Sequence, residues 1–371
     1  MELDPLLRTS VARGASDVHL KPGSPPILRL NGRLEPQPDL GVITADFMDT
    51  IAVRVLSSKT YAQLREGHEV DAGYSVLGLG RFRVNMFLAV GLTRAVMRVV
   101  PSRKPEFAEL GLPPVLTRLA AERRGLVLVT GITGSGKSTT LAAMIHHMNR
   151  SRKDHIITIE DPIEFTHEDG TCVVSQREIG HDSASFAVAL RAALREDPDI
   201  ILVGEMRDPE TMSVALQAAE TGHLVLSTLH TLNATETVNR IVAMFPPHQE
   251  QQVRDQLAAV IQGILAQRLL PRASGEGRVP AVEVMIGTAA IRDCIREAKR
   301  TPEIPSFIAQ GVTQYGMQTF DQSLLALYRD GAISYDTARD AASSPDDFDL
   351  KSRGIFSTAI LLRVCRMRQM S

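Results

Sequence analysis

The chain has 371 residues, 44% of them apolar, and a formal net charge of −2. That length exceeds one ordinary core, so two domains plus tails are expected, and the balanced charge gives no sign of a nucleic-acid partner. Cys172, Cys294 and Cys365 show no C-x-x-C spacing, the N-terminus lacks an apolar leader, and no apolar run approaches the ~20 residues that span a bilayer. The expectation is a cytoplasmic protein in a reducing compartment, able to dock on a membrane from inside.

In chain order, Leu3, Leu6, Leu7 and Val11 predict a short helix over 3–13, ended near Gly14. Ser16–Leu20 starts a strand. Ile27–Leu30, Asn31-Gly32 and Arg33-Leu34 read as a hairpin, because Asn-Gly suits the tight primed turn. Residues 81–87 alternate, with Phe82, Val84 and Met86 on one face, and 95–100 is a further strand. Residues 1–100 therefore form a predicted α+β domain. Pro101, Pro105, Pro113 and Pro114 mark a linker over 101–114. From about 115 the pattern becomes α/β, with strands at 126–130, 156–159, 200–203 and 224–227 separated by helices. Apolar runs of this kind imply a mostly parallel sheet buried on both faces. One helix is well marked: Asp208 caps it, Pro209 opens it, Met212, Ala215, Leu216 and Ala219 form its stripe, and Gly222 ends it.

The run Gly131-Ile132-Thr133-Gly134-Ser135-Gly136-Lys137-Ser138-Thr139 fits the phosphate-loop pattern G-x-x-x-x-G-K-[ST]. It follows an apolar strand and precedes Leu141, Met144, Ile145 and Met148, the spacing of one helix face. Apart from Ile132, these residues are candidate ATP contacts. The glycines let backbone N–H groups turn inward around a phosphate, and the helix N-terminus adds partial positive charge. Lys137 reaches the β/γ-phosphates and the Ser138 hydroxyl can hold Mg²⁺.

Hydrolysis also needs a metal clamp and an oriented water. Glu205, ending the strand at 200–203, can hold Mg²⁺ through water beside Ser138; the alternative is a capping or salt-bridged carboxylate. Glu160-Asp161-Pro162-Ile163-Glu164 puts three carboxylates in five residues, where they repel one another. Pro162 fixes the turn, which can aim Glu164 at the γ-phosphate as a water-orienting base; an exposed acidic turn is the other reading. His223 and His230 bracket the strand at 224–227. His230, Thr228 and Thr231 stand at its C-terminal end, where they can sense a γ-phosphate, although spacing alone does not separate this from structural roles. Arg191 and Arg195 lie one helical turn apart and can pair with acids or serve a neighbouring subunit's phosphates. Arg81 and Arg83 share one strand face, as phosphate ligands or as a solvated surface.

These ordered segments, with Ser16–Leu20 near the N-terminus, resemble the secretion/type IV pilus ATPase family over roughly residues 1–345, most of all its pilus-retraction members. The resemblance implies a PAS-like N-terminal domain and a RecA-like P-loop ATPase domain over 115–345, followed by a tail over 346–371. It implies a homo-hexameric ring at the cytoplasmic face of the inner membrane, with ATP between the two domains. Lys137 and Ser138 would belong to the Walker A motif, Glu164 to the Asp box as catalytic glutamate, Glu205 to an atypical Walker B motif, and His223 and His230 to the His box. Arg81, Arg83 and Arg240 would be nucleotide-interface arginines. Turnover would drive an inner-membrane pilus platform protein and remove pilin from the fibre base, the basis of twitching motility, with room for a paralogous retraction ATPase.

Retraction is favoured over assembly or type II secretion because the chain lacks the extra N-terminal domain and tetracysteine motif of those motors. Residues 290–297 (AIRDCIRE) also resemble the AIRNLIRE segment of retraction ATPases, with Cys294 in place of Leu. An accessory nucleotide-binding ring is the remaining alternative; the presence of both Glu164 and Glu205 argues for hydrolysis. The basic, apolar stretch 354–370 can support peripheral membrane association or form a frayed tail.

Overall fold

The structure, a computed structural model, describes residues 2–30, 32–100 and 106–355. Asn31, Pro101, Pro105 and the tail from 356 onward, Cys365 included, lie outside the described residues. The chain divides into two compact units, Met1–Lys104 with His155–Glu196, and Pro105–Asp154 with Asp197–Ser371.

The first unit holds a six-stranded antiparallel sheet of β1 (Asp17–Leu20), β2 (Ile27–Leu30), β3 (Arg33–Pro36), β4 (Val70–Val76), β5 (Gly80–Ala89) and β6 (Leu92–Val100). Its order is β3-β2-β1-β6-β5-β4. Leu30 faces Arg33 across the two-residue turn, the register an Asn-Gly hairpin predicts. Phe82, Val84 and Met86 are buried together with Met97 and with Met48, Ile51 and Ala52 of the helix Ala45–Val55. That helix starts where the Thr44 hydroxyl accepts the Phe47 N–H at 3.1 Å. Arg81 and Arg83 therefore alternate onto the opposite face of β5 from the core.

The same unit contains β8 (His155–Glu160) and β9 (Val173–Glu178), which pair in parallel with Glu160 opposite Glu178. The grouping of 155–196 with the N-terminal strands is a feature that strand–helix alternation along the sequence does not reveal. Strand β9 carries few apolar residues, and its polar side chains are each bonded: Ser175 to His155, Arg177 to Glu196, and Gln176 and Glu178 to the acidic segment described below.

The second unit is built on β7 (Gly125–Thr130), β10 (Ile200–Val203), β11 (Leu224–Leu229), β12 (Ile261–Pro271) and β13 (Arg278–Ile286). The order is β13-β12-β7-β11-β10, parallel except for the β12–β13 pair. Strands β7, β10 and β11 are buried along their whole length, as parallel strands covered on both faces are. The helix Lys137–Ser151 buries Leu141, Met144, Ile145 and Met148. The helix Pro209–Glu220 opens with Asp208 accepting the Thr211 N–H at 2.8 Å and buries its predicted stripe. The helix Ala289–Arg296 buries Ile291, Cys294 and Ile295, so Cys294 fills an apolar position. No helix among the described residues is long and apolar enough to cross a membrane.

The tail expected from 346 instead begins with a packed helix, Pro345–Ser352. Ser344 caps it, Pro345 opens it, and Phe348 is buried with Phe320, Leu324, Ile333 and Ala338. Edge-on contact with Tyr328, ring centroids 6.2 Å apart, completes this small cluster. Phe348→Ala should lower stability by about 3 kcal/mol, read by urea unfolding of the full chain. A loss within experimental error would show that this helix does not hold the unit together.

Candidate nucleotide-binding site and acidic loop

The phosphate loop links β7 to the helix Lys137–Ser151, and its backbone leaves little choice of residue at two positions. Gly131 has φ 143°, and a Cβ there would stand 2.3 Å from the Gln267 carbonyl. Gly136 has φ 93°, and its Cβ would meet the Gln267 amide nitrogen at 2.7 Å. Both conformations are open to glycine alone at little cost. Gln267 of β12 is buried and braces the loop from beneath: its Nε2 donates to the Ser135 carbonyl at 2.9 Å, and its Oε1 accepts the Thr140 hydroxyl at 2.8 Å.

Lys137 folds back over the loop. Its ammonium donates to the carbonyls of Gly131 (2.8 Å) and Ile132 (3.1 Å). Thr133 and Gly134 are exposed, and Ser138 and Thr139 are partly so, at the open N-terminus of the helix. The Ser135 hydroxyl is buried without a hydrogen-bond partner. A buried orphan donor in a loop that leads into a helix N-terminus is what an oxyanion ligand would satisfy.

Glu205 follows β10. Two hydroxyls of β11 fix this strand end: Ser227 donates to the Val203 carbonyl at 2.6 Å and Thr228 to the Gly204 carbonyl at 2.7 Å. The Glu205 carboxylate pairs with Arg207 at 2.7 Å and with His230 Nε2 at 3.2 Å. The hydroxyls expected to sense a phosphate are thus engaged elsewhere. Thr228 is spent on Gly204, and Thr231 is buried against the Thr237 hydroxyl at 2.6 Å. The two histidines stand at opposite ends of β11. His223 lies 2.9 Å from the Ala218 carbonyl, closing the end of the helix Pro209–Glu220, whereas His230 is exposed beside Glu205. Arg240, in the last turn of the helix Ala234–Val242, is exposed.

The acidic segment sorts its carboxylates by environment. Glu160 is buried, and desolvation pushes its carboxyl up to about 7 despite hydrogen bonds from the Thr158 hydroxyl (2.7 Å), the Glu164 N–H (3.3 Å) and the Gln176 amide (3.2 Å). Glu164 is exposed, and its charge adds to the upward pressure on Glu160. The polar strand β9 holds this segment in place. Gln176 donates to the Phe165 carbonyl at 2.9 Å and accepts the His167 N–H at 2.6 Å. Glu178 accepts the Ile163 N–H at 3.0 Å and pairs with Arg81 of β5. Arg81 is therefore engaged, whereas Arg83 lies 3.8 Å from Asp71 at the surface. Arg191 and Arg195 are also exposed, near the end of the helix Phe186–Ala193. Gln176, Glu178 and Gln267 escaped sequence reasoning because each acts on a partner distant along the chain; polar residues inside predicted strands are the one signal that could have pointed to them.

The family model for type II/IV secretion system proteins matches residues 2–303. The chain belongs to the type II/IV secretion system protein family. Among relatives in this family, it is 46% identical to the type IV pilus retraction ATPase PilT of Pseudomonas aeruginosa, over 94% of this chain and 100% of that one. It is 41% identical to the type IV pilus ATPase PilU of the same organism, over 94% and 91% of the two chains. A crystal structure of the pilus retraction motor PilT with bound ADP superposes with a TM-score of 0.85 at 45% identity, covering 94% of this chain and 98% of that one. The family match includes the phosphate loop, the acidic segment and the Glu205 strand end.

The raised Glu160 pKa makes a prediction of definite sign. A folded-state value near 7, above the ordinary 4.5, means stability is full below pH 4.5 and is lost as pH rises through 7. Glu160→Gln should flatten the fall in melting temperature between pH 5 and pH 8. An unchanged fall would mean that Glu160 ionises freely in the fold.

Proposed function

We propose that this chain is a Mg²⁺-dependent ATPase motor that powers type IV pilus retraction. Its PAS-like N-terminal domain is assigned to 1–100 and its RecA-like ATPase domain to 115–345. The observation that carries the proposal is a complete phosphate loop, braced by Gln267 and held by Lys137, in a chain matching a named retraction ATPase along that protein's whole length. It works as a homo-hexamer at the cytoplasmic face of the inner membrane and drives an inner-membrane pilus platform protein. A paralogous ring can share the task, since the chain is also similar to PilU.

The residues act as follows. ATP phosphates take the place of the Gly131 and Ile132 carbonyls at the Lys137 ammonium, and the amides at the N-terminus of the helix Lys137–Ser151 face them. Among the described residues no group of three or more His, Cys, Asp or Glu could hold a metal alone. Mg²⁺ binds through one or two hard oxygen donors and shares its shell with phosphates and water. Ser138 and Glu205 supply such donors. The chemistry the ion brings is neutralisation of charge on the phosphate oxygens. His230 steadies Glu205 from 3.2 Å. Glu164 is the base that orients the attacking water. The exposed Arg83 and Arg240 are available to nucleotide at a subunit boundary.

Glu164→Ala tests the assignment. It should leave binding of a fluorescent ATP analogue intact and lower kcat by about a hundredfold or more. Near-normal hydrolysis would remove Glu164 from the mechanism.

A further inference from the structure

Arg81 shares a strand face with Arg83, yet the two have different surroundings. Arg83 is half-exposed and only loosely approached by Asp71. Arg81 is largely covered and directs its guanidinium at Glu178, with a second bond of 3.0 Å to the Ser75 hydroxyl. The fold makes room for this pair at a specific place. Gly73 of β4 lies diagonally across from Arg81, whose register partner is Ser75. A Cβ on Gly73 would stand 2.1 Å from Arg81 Nη2 and 2.7 Å from Glu178 Oε1. No side chain fits at Gly73 without moving the pair.

Glu178 is itself buried and serves two partners. Besides Arg81 it accepts the Ile163 N–H at 3.0 Å, while Glu160, its register partner on β8, accepts the next amide, that of Glu164. Two consecutive peptide units, those leading into Ile163 and Glu164, are thus pinned by carboxylates from two adjacent strands. Pinning both leaves the Glu164 backbone little freedom, and so sets where its carboxylate points. Burying an ionised carboxylate is costly unless its charge is matched. Arg81 supplies the match.

We propose that Arg81 is a positioning residue, acting through Glu178 on the loop that carries Glu164, and is not a nucleotide contact. The inference rests on the proposed role of Glu164 in hydrolysis. It predicts a kcat effect without an affinity effect, because a misplacement of about 1 Å in a reacting group costs roughly a hundredfold in rate while the phosphate loop is untouched. It also predicts that Arg81 and Glu178 act as one unit, so their losses do not multiply.

The test is a double-mutant cycle on the full-length protein, with Arg81→Gln, Glu178→Gln and the double variant. ATP turnover gives kcat and KM, and equilibrium binding of a fluorescent ATP analogue gives Kd. Each single variant should lose about tenfold or more in kcat with KM and Kd within about twofold, and the double should be no slower than the worse single. Gly73→Ala, which leaves both charges in place, should show the same kcat loss and carries the test if a glutamine variant does not fold. A tenfold rise in Kd for Arg81→Gln with kcat retained would overturn the proposal, as would multiplying losses or a Gly73→Ala variant with full kcat. Glu164→Ala in the same assay separates the two claims. Full turnover there removes the Glu164 assignment itself; lost turnover with multiplying losses in the cycle removes only the role of Arg81.

Discussion

A loop shaped to bind an anion must hold that shape when the anion is absent. Inward amides and a lysine at the end of a helix would repel one another unless something negative or dipolar stands between them. Here the loop's own carbonyls do this: Lys137 is bonded to Gly131 and Ile132, and Gln267 ties the loop's far side to β12. An arriving phosphate would exchange these carbonyls for a stronger, charged partner at Lys137. Gly131 and Gly136, two of the loop's three glycines with positive φ, stand against Gln267 and are the sequence cost of that shape. Everything downstream, from the metal donors to the hydrolytic carboxylate, has meaning only if this loop holds a triphosphate.

The protein also separates acidic groups by environment rather than by residue type. Glu160 is buried and its carboxyl lies near 7; it works as a backbone anchor. Glu178 is buried but matched by Arg81. Glu205 is partly covered and shared between Arg207 and His230. Glu164 alone of these four is exposed. Carboxylates in such different settings are suited to different tasks, and only the exposed one is free to meet a substrate water. Repulsion within the acidic segment is thereby relieved by division of labour: one carboxyl is held closer to its neutral form, and another faces solvent.

Much of this was visible in the sequence where cause and effect are local. The helix Pro209–Glu220 reads directly from its cap, opening proline and apolar stripe, and the phosphate loop from its strand–turn–helix setting. Strands β12 and β13 were not visible. Ile261, Ile264 and Leu265 have helix-like spacing, and burial on both faces erases the alternation that marks a strand. Polar β9 failed for the opposite reason, since its side chains are satisfied by partners far along the chain. For Thr228 and Thr231 the sequence leaves phosphate sensing and a structural role open, and local hydrogen bonds engage both hydroxyls. The packing of Phe348 likewise depends on Phe320 and Tyr328, which no tail composition discloses.

The central claim is that ATP turnover at this loop removes pilin from the fibre. It is tested most directly by placing Lys137→Ala at the native locus and counting surface pili alongside twitching motility. The account predicts an excess of surface pili with motility lost, because fibres would still be built but not withdrawn. Cells without pili would contradict it, and would assign the motor to assembly.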